Sequence, residues 1–356
     1  MSGGGGAPAT AAPANAAPAI ATEERVRRLV PVLLATWFVA ISAMRLILIA
    51  PGGPGFDGRL YRSATVAWLQ GQDPWSVVQG GVWFGAPPPS LLPMIPFALL
   101  PETLAVGLLL VLGLVGSVWA IRRLGLPIWW LAFPPLVDGI WNANPHVLVL
   151  PLLLLGLAPI ATIVKLYAVV VPAIRLEVRA LALTAVALVV TAPFVPWSTF
   201  LAERQQISER LDLTAGGGSS VFGLEMPLLP IGLAVAVVAL VVLFRRDRER
   251  AAWLAMPAFW PWTQWYYASQ AIPGVADRPQ SAPSGIATVL VLAVAAAVLA
   301  SPVEGAPVVA LAIVAFGEPL VAAAGRQRAA NARSTSSPSA DPVQSTRADP
   351  PIAPLP

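Results

Sequence analysis

Long apolar runs fill most of this chain, and short polar or arginine-containing segments separate them. A membrane-spanning helix needs about 20 mainly apolar residues, because it rises about 1.5 Å per residue through a hydrocarbon layer about 30 Å thick. The pattern therefore predicts an all-α polytopic membrane protein with about 8–10 transmembrane helices. The candidate spans are 29–50, 103–121, 124–141, 147–174, 180–197, 227–244, 251–268, 284–300 and 306–323.

The composition agrees with a membrane protein and excludes several kinds of site. Of the 356 residues, 57% are hydrophobic and 11% are charged, whereas soluble domains carry about 25% charged residues. A net charge of +4 is no nucleic-acid signature. With no cysteine and one histidine, disulfides, thiolate nucleophiles and Cys- or His-rich metal sites are excluded. There is no P-loop and no dinucleotide-binding fingerprint, so we expect no nucleotide cofactor.

The arginines predict the orientation of the chain. Clusters precede the first candidate span and follow the second, fourth and sixth, which is the spacing expected if each cluster lies in the cytoplasm. The N-terminus is then cytoplasmic, and the stretches 51–100, 142–146, 198–226 and 269–283 face outward. The side of the C-terminus stays open, since a ninth helix would place Arg326 and Arg328 outside.

Both ends of the chain are rich in small residues and proline. Residues 1–24 (Gly, Ala and Pro) and residues 329–356 (Pro and Ser) have compositions typical of disordered tails. Residues 25–328 are predicted to form one multi-span membrane domain.

Two segments depart from a simple series of spans. The first outer loop, 51–100, has about 50 residues, and its apolar part GAPPPSLLPMIPFALLP suits a juxtamembrane helix. The run 147–174 is long for one span and too short for two, and it contains Gly156 and Pro159. A broken span is therefore predicted there, and non-helical backbone at membrane depth is tolerated where it lines a cavity.

The outer loop carries the first candidates for chemistry. In GFDGRLYR, Asp57 and Tyr61 are four residues apart and share a helix face. Asp57 could serve as a catalytic carboxylate or as the N-cap of a helix over 58–70. Asp73 in GQDPW is first of all a turn residue. Asp138, near the outer end of the third candidate span, is a functional candidate that could also cap a helix or pair with an arginine.

Further candidates follow along the chain. Asn144 and His146 lie in a short outer segment, where asparagines usually form turns and a lone histidine usually forms hydrogen bonds. Lys165 has apolar neighbours and could either extend to the membrane interface or face a lipid phosphate or carboxylate. The run FWPWTQWYYASQ, with Trp262 and Gln264, is typical of an interfacial aromatic belt, and flat aromatic faces also bind sugars.

In this order, the features resemble polyprenyl-phosphate-dependent glycosyltransferases of the GT-C fold, in particular glycosyltransferase family 87, which includes actinobacterial mannosyltransferases. The resemblance covers roughly 28–275 and begins with the outer Asp57, Tyr61, the GQDPW turn and the Pro-rich apolar stretch. The later segments ANPHVLVLPLLLL, KLYAVVVP, SSVFGLEMP and WPWTQWYYASQ are similar to loose motifs of that family. Ala143 stands where the family prefers Gly, and Gln264 stands near a common His.

The resemblance implies a function. It implies an inverting glycosyltransferase, a mannosyltransferase for preference, whose active site faces outside the cell membrane and needs no metal. The donor is a polyprenyl-phosphate sugar and the acceptor a glycolipid or cell-envelope glycan. Asp57 would be the general base, with Asp138 as second choice, and Lys165, Arg59 and Arg62 would bind the donor phosphate. The implied substrate-binding residues are Tyr61, Asp73, Asp138, Asn144, His146, Trp262 and Gln264.

Two other functions stay open on the sequence. A transporter or flippase would also explain a broken helix and Lys165, although no inverted repeat is visible. An inactive homologue of the glycosyltransferases could act as a membrane scaffold. The sequence does not give the sugar, the acceptor, the linkage or the oligomeric state.

Overall fold

The computed structural model describes residues 16–49, 52–215, 218–261, 263–277 and 285–336, and these residues are helical almost throughout. This agrees with the all-α prediction. The α-helices are α1 Ala16–Ile49, α2 Phe56–Leu69, α3 Ile95–Ala98, α4 Glu102–Arg123, α5 Pro134–Trp141, α6 Val149–Leu154, α7 Ala158–Val164, α8 Val170–Arg175, α9 Val178–Thr191, α10 Trp197–Ala215, α11 Leu228–Arg246, α12 Arg248–Phe259, α13 Ile272–Val275, α14 Ile286–Leu299 and α15 Ala306–Ser336.

Short 3₁₀ segments and one β-hairpin connect the α-helices. The hairpin consists of β1 Val78–Gln79 and β2 Val82–Trp83, with Val78 opposite Trp83. The 3₁₀ segments are Pro74–Ser76, Pro88–Met94, Ile128–Ala132, Pro145–Leu148, Leu166–Val169, Ala192–Phe194, Val221–Gly223 and Trp265–Ala271.

The chain divides into two compact units, and the larger one contains all the structure discussed below. It extends to Glu318, and the second unit starts at Pro319. α1 begins at Ala16 and α15 ends at Ser336, so each helix reaches into a segment predicted as a disordered tail. The remaining tail residues, 1–15 and 337–356, lie outside the described residues.

Three helices within the described ranges are long and apolar enough to cross a membrane: Glu23–Ile49, Glu102–Arg123 and Leu228–Arg246. A fourth span results if Val178–Phe194 and Trp197–Leu211, which meet at 95°, are taken together. These apolar helices are consistent with a membrane protein, and within the described ranges fewer helices reach the length of a full span than the 8–10 spans predicted.

Proline explains much of this difference, because it has no N–H to donate within a helix. The predicted span 124–141 is divided into the 3₁₀ segment Ile128–Ala132 and the eight-residue α5, which begins at Pro134 and Pro135. Within the predicted span 251–268, the α-helix ends at Phe259, two residues beyond Pro257.

The predicted break in 147–174 is confirmed, and the structure contains a second one. α6 ends at Leu154, Gly156 adopts a φ of +75°, and α7 starts at Ala158 with Pro159 in its first turn. The chain opens again at Lys165, whose φ of −148° and ψ of 117° are those of extended backbone. This second break places Lys165 between two short helical segments.

The segment predicted as the first outer loop, called the outer loop below, is folded over the described residues 52–100. Its proline-rich half forms the 3₁₀ segment Pro88–Met94 and the four-residue α3 in place of one continuous juxtamembrane helix. A cluster of buried apolar side chains joins the loop to α4 and α10. It comprises Leu60, Tyr61, Ala64, Trp75, Phe84, Leu91, Met94, Val106, Leu109, Ala143 and Ile207.

The first turn of α2 is bonded to the turn that follows α5. The Gly55 N–H donates to the Trp141 carbonyl at 2.7 Å, and the Gly58 N–H donates to the Asn142 carbonyl at 3.0 Å. Gly55 is the N-cap of α2, and no side chain caps this helix. The N-cap interpretation of Asp57 is therefore wrong: Asp57 lies inside the first turn, and its carboxylate is free for other contacts.

Gly55→Ala should destabilise the fold, whereas Gly52→Ala should not. Gly55 has a φ of +82°, and a Cβ there would lie 2.1 Å from Val106 Cγ1, while a Cβ at Gly52 would meet nothing within 4 Å. The left-handed backbone and the overpacking together should cost roughly 2–4 kcal/mol at Gly55. Apparent melting temperatures in detergent measure the difference, and equal values for the two variants would contradict this account.

Candidate functional site

A cavity of about 570 Å³ lies between the folded outer loop, α10 and the aromatic segment after α12. α2 contributes Asp57 and Tyr61 to its wall, and the residues after β2 contribute Phe84. Lys165 and Tyr267 line it as well. The volume is in the range that small-molecule sites occupy, and the walls are mainly apolar with a few polar groups.

Asp57 is held in this wall by two hydrogen bonds to the same oxygen. Asn144 Nδ2 donates to Asp57 Oδ2 at 2.8 Å, and the Tyr266 hydroxyl donates to it at 3.0 Å. Asn144 Nδ2 also lies 3.1 Å from the Tyr266 hydroxyl. The other carboxylate oxygen, Oδ1, has no hydrogen-bond partner among the described residues. The carboxylate is therefore fixed in orientation with one oxygen unused.

The turn after α5 explains why Asn144 reaches Asp57. Asn144 is the N-cap of the 3₁₀ segment Pro145–Leu148, and its Oδ1 accepts from the His146 N–H at 3.0 Å, which directs its Nδ2 toward Asp57. Ala143, just before it, has a φ of +50°. That left-handed conformation favours glycine, and Ala143 adopts it here.

Burial raises the pKa of the Asp57 carboxyl above its usual value of 3.8. The hydrogen bonds from Asn144 and Tyr266 and the positive charge of Lys165 act in the opposite direction. Burial disfavours the carboxylate, and these three contacts favour it. Asp57 lies in α2, which is not one of the candidate spans.

Lys165 is a buried residue of the cavity lining, with 4% of its surface exposed. Its Nζ donates to the Tyr61 hydroxyl and, at 2.9 Å, to the Tyr267 hydroxyl. It also lies 4.7 Å and 5.0 Å from the centroids of these two rings, an arrangement that stabilises a cation. Lys165 thus faces the cavity and does not extend to a membrane interface.

Three other predicted site residues are engaged elsewhere and do not line the cavity. Arg59 donates to the carbonyls of Pro54 at 2.7 Å and Gly52 at 3.2 Å. Arg62 donates twice to the Leu100 carbonyl, at 3.1 and 2.7 Å. Asp73 accepts from the Trp75 N–H at 3.0 Å as the N-cap of a 3₁₀ turn. Each of them stabilises the outer loop.

Asp138 forms an ion pair with Arg45. Arg45 Nη2 lies 2.8 Å from Asp138 Oδ2, the aspartate is 1% exposed, and Asn142 Nδ2 donates to its Oδ1 at 2.9 Å. Both carboxylate oxygens have partners, and Asp138 does not line the cavity. Asp138 therefore pairs with an arginine, which is one of the alternatives that the sequence leaves open.

His146 lies behind the cavity wall, fully buried. Its Nε2 is 3.3 Å from the Ser269 hydroxyl, and its carbonyl accepts from Gln270 Nε2 at 3.0 Å. The hydrogen-bonding interpretation of the lone histidine therefore holds. No group of three or more His, Asp or Glu side chains that could hold a metal ion occurs in the ranges that the structure describes.

The aromatic run contributes to the cavity through residues that the sequence did not single out. Gln264 lines the cavity as predicted, and Trp262 lies outside the described residues. Tyr266 and Tyr267 line it as well and bond to Asp57 and Lys165. A run of aromatic residues predicts an interface in general, but it does not indicate which ring faces inward.

Arg204 is a cation that sequence reasoning missed. It is exposed and lines the cavity from α10, together with Phe200, Ile207 and Leu211. These positions recur every three to four residues, which is the signal of one helix face. Arg204 has no hydrogen bond or ion pair within the described part of the chain, unlike Arg59 and Arg62.

Comparisons with protein-family models, with curated proteins and with solved structures give no match to this chain.

Asp138→Asn should destabilise the protein, whereas Asp73→Asn should be nearly neutral. Loss of the buried charge leaves Arg45 unpaired, and breaking a buried pair is costly; with Arg45 partly exposed we expect about 2 kcal/mol or more. Asparagine is as good an N-cap as aspartate. Melting temperatures of the two purified variants test this, and wild-type stability of Asp138→Asn would show that the ion pair does not support the fold.

Proposed function

We propose that this chain is an integral membrane glycosyltransferase, most simply a mannosyltransferase, that moves a sugar from a polyprenyl-phosphate donor to a lipid or cell-envelope glycan acceptor. The observation that carries the proposal is the placement of one carboxylate, Asp57, and one buried cation, Lys165, on the walls of a single cavity. Such a pair suits a reaction in which a hydroxyl loses a proton while a phosphate leaves.

Asp57 is the general base of the proposed reaction. Its free Oδ1 accepts the proton of the acceptor hydroxyl while the hydroxyl oxygen attacks the anomeric carbon of the donor sugar. The bond between that carbon and the phosphate oxygen breaks, the lipid phosphate leaves with the electron pair, and the sugar configuration inverts. Asn144 and Tyr266 both bond to Oδ2, which leaves Oδ1 for the acceptor hydroxyl.

Negative charge develops on the leaving phosphate, and two cations of the cavity are suited to stabilise it. Lys165 is already fixed by Tyr61 and Tyr267, so its positive charge needs no rearrangement during the reaction. Arg204 has no partner in the described chain and provides a second cation at the cavity. Arg204 takes over the phosphate-binding role that the resemblance implies for Arg59 and Arg62. Those two arginines bond to backbone carbonyls instead.

The remaining walls suit a lipid-linked sugar. Gln264 offers an amide group to sugar hydroxyls, and the rings of Trp83 and Trp260 belong to the apolar part of the lining. The ring of Phe200 belongs to the wall that α10 forms. A polyprenyl chain needs such apolar surface, whereas a free nucleotide sugar does not.

The proposal includes a place for the chain in the cell. We propose a multi-pass protein of the cell membrane with a cytoplasmic N-terminus, because arginine clusters lie at the ends of α4 and α11. The cavity then opens on the extracytoplasmic side. The shorter helices, including the 14-residue α14, complete the predicted set of spans in this arrangement.

Asp57→Asn should abolish sugar transfer without weakening the fold. Membranes containing the protein are supplied with radiolabelled polyprenyl-phosphate mannose, and label in lipid and glycan fractions is measured. Because burial raises the Asp57 pKa, its charge opposes folding at neutral pH, and the variant should melt no lower than wild type.

Asp73→Asn is the matched control for this experiment, since it removes a carboxylate outside the cavity, and it should transfer label normally. Transfer by Asp57→Asn at the wild-type rate would remove Asp57 as the base. Flux of a polyprenyl-phosphate sugar across vesicles, without label in any acceptor, would favour the transporter function instead.

The pH dependence of kcat/KM should have an acid limb set by Asp57. The base acts as a carboxylate, so the rate should fall as the pH decreases through its pKa, and this fall should occur above pH 3.8 because burial raises the pKa. Protonation of Asp57 stabilises the folded state, so titration of this residue should not unfold the protein. Recovery of full activity on return to neutral pH is the control for unfolding. A rate that stays constant down to pH 4 would contradict the assignment.

A further inference from the structure

The hydroxyl of Tyr167 is buried without a hydrogen-bond partner in the described part of the chain. Tyr167 is 3% exposed, and its ring lies 5.2 Å from that of Tyr267 and 6.2 Å from that of Trp260. A buried tyrosine hydroxyl usually has a partner, and leaving it without one costs free energy of folding. Tyr167 is also one of the residues that line the cavity.

Lys165 precedes Tyr167 by two residues and has a donor to spare. An ammonium group has three N–H donors, and in Lys165 two of them bond to the hydroxyls of Tyr61 and Tyr267. The third has no partner among the residues that the structure describes. The second break of the broken span thus brings a fixed positive charge and two unused donors to one part of the cavity wall.

We propose that Tyr167 and Lys165 bind one phosphate group together, the phosphate of the polyprenyl-phosphate donor. Its non-bridging oxygens accept from the Tyr167 hydroxyl and from the free N–H of Lys165. An anion with several acceptor oxygens fits two donors beside a cation better than a neutral sugar hydroxyl does. The inference rests on the proposed function, and it adds Tyr167 as a phosphate-binding residue that neither motif nor spacing indicates.

The test measures binding of polyprenyl phosphate, without sugar, to the purified full-length protein in detergent. Tyr167→Phe should weaken binding at least about tenfold, because it removes a hydrogen bond to a charged group. Its melting temperature without ligand should be equal to that of wild type or higher, because the hydroxyl it removes has no partner in the free protein.

Thr184→Val is the matched control. Thr184 also has a buried hydroxyl without a partner in the described ranges, and it does not line the cavity. Its removal should leave the affinity for polyprenyl phosphate unchanged. If Thr184→Val weakens binding as much as Tyr167→Phe does, the effect is not specific to the cavity and the proposal fails.

Inorganic phosphate is the second probe and separates a lipid-linked phosphate from a free one. Loss of polyprenyl-phosphate affinity in Tyr167→Phe supports the proposal if inorganic phosphate at the same concentrations does not compete. Full competition by inorganic phosphate would overturn the assignment to a lipid donor.

Three further results would overturn the proposal: unchanged affinity of Tyr167→Phe, a lowered melting temperature of that variant, or no binding of polyprenyl phosphate by wild type. If Tyr167→Phe binds polyprenyl phosphate normally and the wild type shows Asp57-dependent transfer, this inference alone is refuted. If Tyr167→Phe binds polyprenyl phosphate more weakly but the wild type transfers no sugar, the proposed reaction alone is refuted.

Discussion

The attachment of α2 to the turn after α5 is the constraint on which the site depends. Two backbone hydrogen bonds, from Gly55 and Gly58, hold the first turn of α2 against Trp141 and Asn142. They fix the backbone on both sides of the bond between Asn144 and Asp57. Without this attachment, a carboxylate on an outer loop would be free to point into solvent, and its pKa would be that of an exposed aspartate.

The polar groups of the cavity satisfy one another within mainly apolar surroundings. Burying a charge is costly unless other groups compensate it. Asp57 has two donors on one oxygen, and Lys165 has two tyrosine hydroxyls and two aromatic faces. The direct partners of Lys165 are tyrosine hydroxyls, and the carboxylate of Asp57 interacts with it electrostatically across the site. In the proposed reaction, the groups left for a substrate are Asp57 Oδ1, the third N–H of Lys165, Arg204 and the Tyr167 hydroxyl, none of which has a partner within the described residues.

The sequence predicts the parts of the site that follow from local pattern. Asp57 and Tyr61 share a helix face by their spacing, and Gly156 with Pro159 predicts the break that precedes Lys165 in 147–174. These residues meet Asn144 at one cavity because of tertiary contacts. The loose motifs show the order of these residues along the chain but not the contacts between them.

Other features could not be predicted from pattern. Arg59 and Arg62 have charges suited to a phosphate, but their backbone-carbonyl partners are set by the folded loop. Asp138 looks like a functional carboxylate until α1 brings Arg45 to it. Span counting from hydropathy also overestimated helix length, because prolines and glycines divide apolar runs without lowering their hydropathy.

The most direct test of the central claim is a cryo-electron microscopy structure of Asp57→Asn with polyprenyl-phosphate mannose bound, since this variant should bind the donor without consuming it. The account predicts the phosphate within hydrogen-bond distance of Lys165 Nζ, and the anomeric carbon of the sugar on the side of the cavity that faces residue 57. A donor bound outside this cavity, or a sugar held away from residue 57 with its phosphate far from Lys165, would contradict the account.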